Sequence, residues 1–312
     1  MTIILKEDEK GAFQMSIESI NFGEVLNSLR TYKKIEIAEL AEGICTPEDI
    51  ELFEKERKYP TMEQLAKIAE KLNVQINYLF DYTASSRFNY VITISKLINN
   101  YKRERNYQAI YEIIQKEKNN PIFRSLSQQQ FLLWHEGICV FYLENNKELA
   151  IELLKKAIKL TNPKYRKLTE NEVDILASMA IIEKDAQNFE EALSLFLEAL
   201  NHIRELPYIK DPTLEIKILY GYSQLLTKVG EYEESLKYCK VGIKACIGTE
   251  SSYQFADLHY QAGENYIRLG QLEKGNEYME KAINLFNIQG NDEYVLLVKK
   301  EHNKLLTECV HI

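Results

Sequence analysis

The sequence predicts an all-α protein, a small head of short helices followed by a long array of helical hairpins, and three observations predict it. Helix breakers are scarce, with 12 Gly and 6 Pro in 312 residues, while 45% of the chain is hydrophobic; this is the composition of helices that bury one stripe and solvate the other. One phrase recurs five times, as Asn106-Tyr107-Gln108-Ala109-Ile110, Lys147-Glu148-Leu149-Ala150-Ile151, Phe189-Glu190-Glu191-Ala192-Leu193, Tyr232-Glu233-Glu234-Ser235-Leu236 and Leu272-Glu273-Lys274-Gly275-Asn276. Self-similarity of this kind marks a repeat array. Ahead of it, residues 22 to 80 carry shorter apolar stripes broken by turn signals.

Residues 1–20 are read as an N-terminal extension, in which Met15 would serve equally well as a start, and residues 21–82 as the head. Phe22, Val25, Leu26 and Leu29 form an i, i+3, i+4, i+7 stripe, and Ile37, Leu40 and Ala41 form a second, closed by Gly43. Thr46-Pro47-Glu48-Asp49 then supplies an N-cap, Pro at the first helical position and acids in the first turn, followed by Ile50 and Phe53. Thr61 caps a further helix through Met62, Leu65, Ile68, Ala69 and Leu72, and Val74, Ile76, Leu79 and Phe80 complete the core. This order resembles the five-helix helix-turn-helix (HTH) domain of the lambda-repressor and Cro superfamily. The resemblance implies DNA contacts from Lys33, Lys34, Thr46, Glu48, Asp49, Lys55, Arg57 and Lys58. The helix that would enter the major groove departs from the pattern in being acidic, and residues 22–82 hold eight Lys and Arg against twelve Asp and Glu, a balance of −4. The chain as a whole is at −8, so any DNA contact has to be local.

After a linker at 83–90, residues 91–312 carry the array. The small residues at 109, 150, 192, 235 and 275 are 41, 42, 43 and 40 apart. A second small residue lies seven later at Ala157, Ala199, Gly242 and Ala282, and a third twelve or thirteen earlier at Gly137, Ala180, Ser223 and Gly263. Two small residues two turns apart on one face let a neighbouring helix approach, and the large Leu154, Phe196, Cys239 and Met279 fill the space between. The spacing resembles a right-handed tetratricopeptide-like (TPR-like) superhelix of about five hairpins. Its first repeat is degenerate, with Leu97 and Lys116 at small-residue positions, and 292–309 reads as a C-terminal capping helix. Core packing accounts for most of these residues. The resemblance further implies a concave groove lined by first helices, with inward positions at Trp134, Asp174, Lys217, Tyr220, Gln224, Lys228, Asp257, Tyr260, Glu264 and Arg268, a mixture of aromatic, amide and charged groups suited to an extended peptide.

An HTH head joined to such an array is similar to the PlcR/Rgg-type (RNPP) peptide-responsive transcription regulators of Gram-positive bacteria. The resemblance implies a cytoplasmic homodimer that reads a palindromic operator in double-stranded DNA and is controlled by a short signalling peptide of quorum-sensing type. The alternative is a TPR-like protein-interaction or sequestering regulator whose acidic head no longer binds DNA. An enzyme is not expected, since no HExxH, nucleophile-elbow or phosphate-loop pattern occurs, and no cofactor or metal is expected either. The five cysteines show no metal-ligand spacing, and no leader or membrane span is read.

Overall fold

The computed structural model describes residues 4–7, 13–16, 22–76, 79 and 86–310, and the chain divides into two compact units, Met1–Arg103 and Glu104–Ile312. Phe80 and residues 81–85 of the expected connection lie outside the described residues.

In the first unit, β1 (Ile4–Glu7) and β2 (Phe13–Ser16) pair antiparallel with Ile4 opposite Ser16. This hairpin falls in the segment read only as an extension; everything else described is helix and its connections. The head follows as α1 (Phe22–Tyr32), α2 (Ile37–Ala41), α3 (Pro47–Glu54) and α4 (Met62–Lys71), and the expected fifth helix, near 76–80, is only partly described. Gly43, at φ +72°, ends α2 as its lack of Cβ allows. Thr46 and Thr61 start α3 and α4 with capping boxes to Asp49 and Gln64. Phe22, Leu26, Leu40, Ile50, Phe53, Ile68, Leu72 and Leu79 make one core. Gly23 lets α1 meet the end of α3: a Cβ there would stand 2.1 Å from the Glu54 carbonyl oxygen. Because that oxygen is backbone, Gly23→Ala should cost the head about 3 kcal/mol, the upper part of the range for overpacking, read as a lowered urea midpoint with unchanged m. The next fully bounded helix of this unit, α5 (Ser86–Arg103), begins within the stretch expected as linker.

The second unit opens with α6 (Tyr107–Glu117) and a 3₁₀ turn at Pro121–Phe123. Four hairpins follow among its described residues: α7 (Leu126–Glu144) with α8 (Lys147–Thr161), α9 (Glu170–Asp185) with α10 (Phe189–Glu205), α11 (Thr213–Lys228) with α12 (Tyr232–Gly248), and α13 (Phe255–Arg268) with α14 (Leu272–Ile288), closed by α15 (Asp292–Val310). The recurring phrase is the start of each second helix. Asn106 and Asn146 cap α6 and α8 through their side-chain oxygens. The small residues of the four hairpins are buried, as are Leu154, Phe196, Cys239 and Met279 between them, whereas Ala109 of the first repeat is half-buried. At the last hairpin the approach is tightest, since a Cβ on Gly275 would meet Ile267 Cγ1 at 2.4 Å. Gly270, at φ +74°, turns α13 into α14, with its N–H donated to the Ile267 carbonyl and that of Gln271 to Tyr266. Beneath these turns a buried polar knot joins α11, α12 and α13: Thr227 donates to Asn265 Oδ1 at 2.7 Å, and Asn265 Nδ2 donates to Ser235 Oγ at 2.8 Å.

Candidate functional site

The first helices of the last three hairpins are almost wholly enclosed, and what they leave accessible is a regular stripe. From Ile216 to Thr227 on α11 every residue is buried except Lys217, Tyr220 and Gln224; from Ala256 to Ile267 on α13 every residue is buried except Asp257, Tyr260 and Glu264. On α9 the corresponding residues between Glu172 and Glu183 are Asp174 and Ile181. Spacings of three, four and seven keep each set on one helix face. Aligned on the small residues Ala180, Ser223 and Gly263, they form rows across the neighbouring helices: Asp174, Lys217, Asp257; Ala177, Tyr220, Tyr260; Ile181, Gln224, Glu264; and, at the helix ends, Asp185, Lys228, Arg268.

Most charges in the rows are partnered. Lys217 donates to Asp174 across α9 and α11, and Arg268 Nε to Glu264 Oε1 at 2.9 Å. Gln224 gives its amide to Tyr220 Oη at 3.2 Å and accepts Lys184 Nζ at 2.7 Å. The Lys228 ammonium stands 4.8 Å from the centre of the Phe189 ring. Burial pushes the Tyr220 and Tyr260 hydroxyls up, so both stay protonated donors. Burial also raises the Asp257 carboxyl. A raised carboxyl pKa in the folded state means that ionised Asp257 weakens folding above that pKa, and that the loss disappears below the ordinary value near 3.8. Asp257→Asn should therefore raise Tm at pH 7, with the gain shrinking to nothing as the pH falls below about 4 in a calorimetric series.

Trp134 stands apart from the stripe. It is 6% exposed and donates its indole N–H to Ser178 Oγ at 3.0 Å, so it holds α7 on α9; the accessible residues within Gln130–Phe141 are Phe131, Leu133 and Glu136. His135 and His259 each turn Nδ1 to a carbonyl one turn earlier, Phe131 at 2.8 Å and Phe255 at 2.7 Å, and serve packing. Burial pushes the Cys139 thiol up to about 12 and those of Cys239 and Cys246 to about 11, which keeps them protonated and unreactive at neutral pH.

On the head, the outward face of α3 is Glu48, Glu51, Leu52 and Lys55, an i, i+3, i+4, i+7 set. Two of the four acids of this helix are structural. Glu54, 7% exposed, takes Arg30 in a fork, Nε to Oε1 at 2.6 Å and Nη2 to Oε2 at 3.1 Å. Asp49 closes the Thr46 capping box and accepts Lys58 Nζ at 2.6 Å, which holds its carboxyl below the usual range. Lys55 pairs with Glu51 at 3.1 Å. Lys33, Lys34 and Arg57 have no ion-pair partner among the described residues, with Lys33 and Lys34 in the α1–α2 turn and Arg57 just after α3.

The RNPP family C-terminal domain model matches residues 95–307. The chain belongs to the RNPP family. No curated protein sequence matches it. Among solved structures, the fold is similar to that of Bacillus thuringiensis PlcR in complex with the peptide PapR7 and DNA, with TM-score 0.72 and 22% identity over 89% of this chain and 99% of PlcR. It is also similar to the Streptococcus dysgalactiae SHP pheromone receptor Rgg2, at TM-score 0.63 and 15% identity over 91% of this chain and 99% of that one. A third is ComR of S. thermophilus, solved with DNA and its signalling peptide ComS, at TM-score 0.59 and 12% identity over 91% and 99%. No helix among the described residues of this RNPP chain is long and apolar enough to cross a membrane.

Sequence reasoning about the RNPP groove omitted Ile181, Lys184 and Asp185, and on the head it omitted Glu51 and Leu52 from the contact set. For Ile181 and Asp185 a signal was present. Gly137, Ala180, Ser223 and Gly263 are 43, 43 and 40 apart, and carrying those intervals along the first helices gives the rows found above, with Phe131 rather than Trp134 equivalent to Asp174.

Proposed function

We propose that this RNPP protein is a dimeric transcription regulator whose head binds palindromic operator DNA and whose groove binds a short signalling peptide. The observation that carries the reading is the accessible stripe of Asp174, Lys217, Tyr220, Gln224, Asp257, Tyr260 and Glu264 on helices otherwise buried. Lys228 and Arg268 extend it. Such a surface offers aromatic area, amides and charges to an extended backbone and its termini. The complexes of PlcR with PapR7 and DNA and of ComR with ComS and DNA support it. Switching requires the peptide to bind two arrangements of the paired heads unequally; equal affinity would shift nothing.

On DNA, Lys33, Lys34 and Arg57 take phosphates, while Glu48 and Lys55 face the bases, with Glu48 able to accept from a cytosine amine. Thr46, Asp49 and Lys58 hold the start of α3 in place, so their contribution is through its orientation. The exposed Glu48 and Glu51 favour a second reading, a head that has lost DNA and a protein that acts through its groove alone. Genome-wide DNA capture from cells carrying the tagged protein, followed by salt titration on any enriched site, separates the two. The regulator reading expects a palindromic site whose affinity falls steeply with salt, and a log–log slope reduced by about 1 per protomer in Lys33→Ala and in Arg57→Ala. A folded dimer that enriches no site would overturn it in favour of the second.

A further inference from the structure

We propose that the groove sets the direction of its peptide by charge, seating a cationic group of the peptide on Asp257 and a carboxylate between Lys184 and Lys228 at the far end of the same stripe. This rests on the reading of the stripe as a peptide site.

Several charges of the stripe are already neutralised within the protein. In the first row Lys217 is committed to Asp174, and in the third Glu264 is committed to Arg268. Asp257 has neither an ion pair nor a side-chain partner among the described residues, although it is half-buried. Its place in the first turn of α13 favours negative charge through the helix dipole. That placement helps to keep it ionised but gives it no counter-ion. Tyr260 stands one turn along on the same face, and Tyr220 lies in the adjoining row of α11. A carboxylate beside two aromatic rings is a seat for an ammonium or guanidinium group.

The opposite end of the stripe has the opposite imbalance. Asp185 accepts Tyr142 Oη at 2.7 Å and lies 3.8 Å from Lys184 Nζ. Lys184 is drawn down by burial, and the positive charges of Lys228 and Arg105 act on it in the same direction. Of these three cations, only Lys184 has a carboxylate within ion-pair distance among the described residues. Lys228 has a ring beneath it but no carboxylate partner among the described residues. Lys184 is half-buried and Lys228 is exposed, so a ligand carboxylate between them offsets part of the desolvation of Lys184 and gains a second cation in Lys228. The first and last rows are separated by eleven residues, Lys217 to Lys228, or about 16 Å at 1.5 Å per helical residue. Asp257 also lies one helix over from Lys228, a lateral step of about 10 Å, so the diagonal is about 19 Å, which an extended chain of about six residues spans.

The test uses the full chain and random hexapeptide pools in four end-forms: both ends free, N-acetylated, C-amidated and doubly capped. Peptides retained by the immobilised protein are sequenced by mass spectrometry. On the wild type, acetylation should lower retention at least tenfold or shift selection to peptides with Lys or Arg near the first position, which distinguishes an α-ammonium from a side chain as the source of the cation. Amidation should act likewise, shifting selection to Asp or Glu near the last position. Asp257→Asn should abolish sensitivity to acetylation and keep sensitivity to amidation; Lys228→Gln should do the reverse. Retention indifferent to both caps and without charge preference would overturn the proposal while leaving the peptide groove standing. No retention from any pool would overturn the groove reading itself. The wild-type comparison requires no variant to fold.

Discussion

Glu54→Ala should melt the head while leaving the repeat unit folded, by about 3 kcal/mol, the cost of removing one partner of an enclosed ion pair. Glu54 and Arg30 are 7% and 13% exposed, and the pair is forked. The Arg30 guanidinium also donates Nη1 to the Ile35 carbonyl at 3.1 Å, so one contact ties α1, the α1–α2 turn and the end of α3 together. Loss of the carboxylate strands a mostly buried guanidinium with a single acceptor. A head of some 60 residues has a stability of only several kcal/mol to spend, so the effect should be visible as a separate, earlier transition in chemical denaturation. Glu48→Ala and Glu51→Ala are the comparison: both sit on the outward face of α3 and should stay within about 0.5 kcal/mol of the wild type. If Glu54→Ala left the head as stable as those two, Glu54 would have to be counted among the outward acids, and the case for a head too acidic for DNA would be stronger.

Phe196→Ala should cost about 3–5 kcal/mol, the usual loss for a fully enclosed aromatic ring, and should act on the groove. Phe196 is fully buried on α10 and lies directly over the α11 backbone, where a Cβ added to Gly221 would be 2.7 Å from its ring. Tyr222 completes the contact at 6.4 Å between ring centres. The ring is therefore the wedge between two successive hairpins, and α11 carries Lys217, Tyr220 and Gln224. In an array each repeat is stabilised by its neighbours, so the loss should stay local: hydrogen exchange should quicken in α9 to α12 and much less in α14 and α15. Uniform quickening across the unit would mean that the array unfolds as one piece.

Much of this architecture was legible because it depends on local chemistry. Thr46 with Pro47, Thr61 and Gly43 act within a turn or two of themselves, and a cap or a left-handed turn needs no partner from elsewhere in the chain. The small residues from Gly137 to Ala282 were legible for a related reason: a period repeated in four hairpins exposes a packing rule even when the packing is not seen. Tyr220, Gln224, Asp257, Tyr260 and Glu264 followed from that period, and the structure leaves these positions accessible. Trp134 did not follow, because the interval between the α7 and α9 registers is 43 residues and not the 40 that separates Trp134 from Asp174.

What the sequence by itself determined is the all-α class, the repeat register and the starts of α3 and α4, since each is set by neighbours along the chain. What only the tertiary structure decided is the state of each charge. Composition counts Glu54, Asp49, Glu48 and Glu51 alike as acids on one helix, and Asp174, Asp257 and Glu264 alike as acids on a groove. Whether a carboxylate is held by Arg30, Lys58, Lys217 or Arg268, or by nothing among the described residues, depends on side chains up to 43 positions away meeting within about 4 Å. Electrostatic energy varies steeply with separation and solvent access, so only the folded chain assigns it.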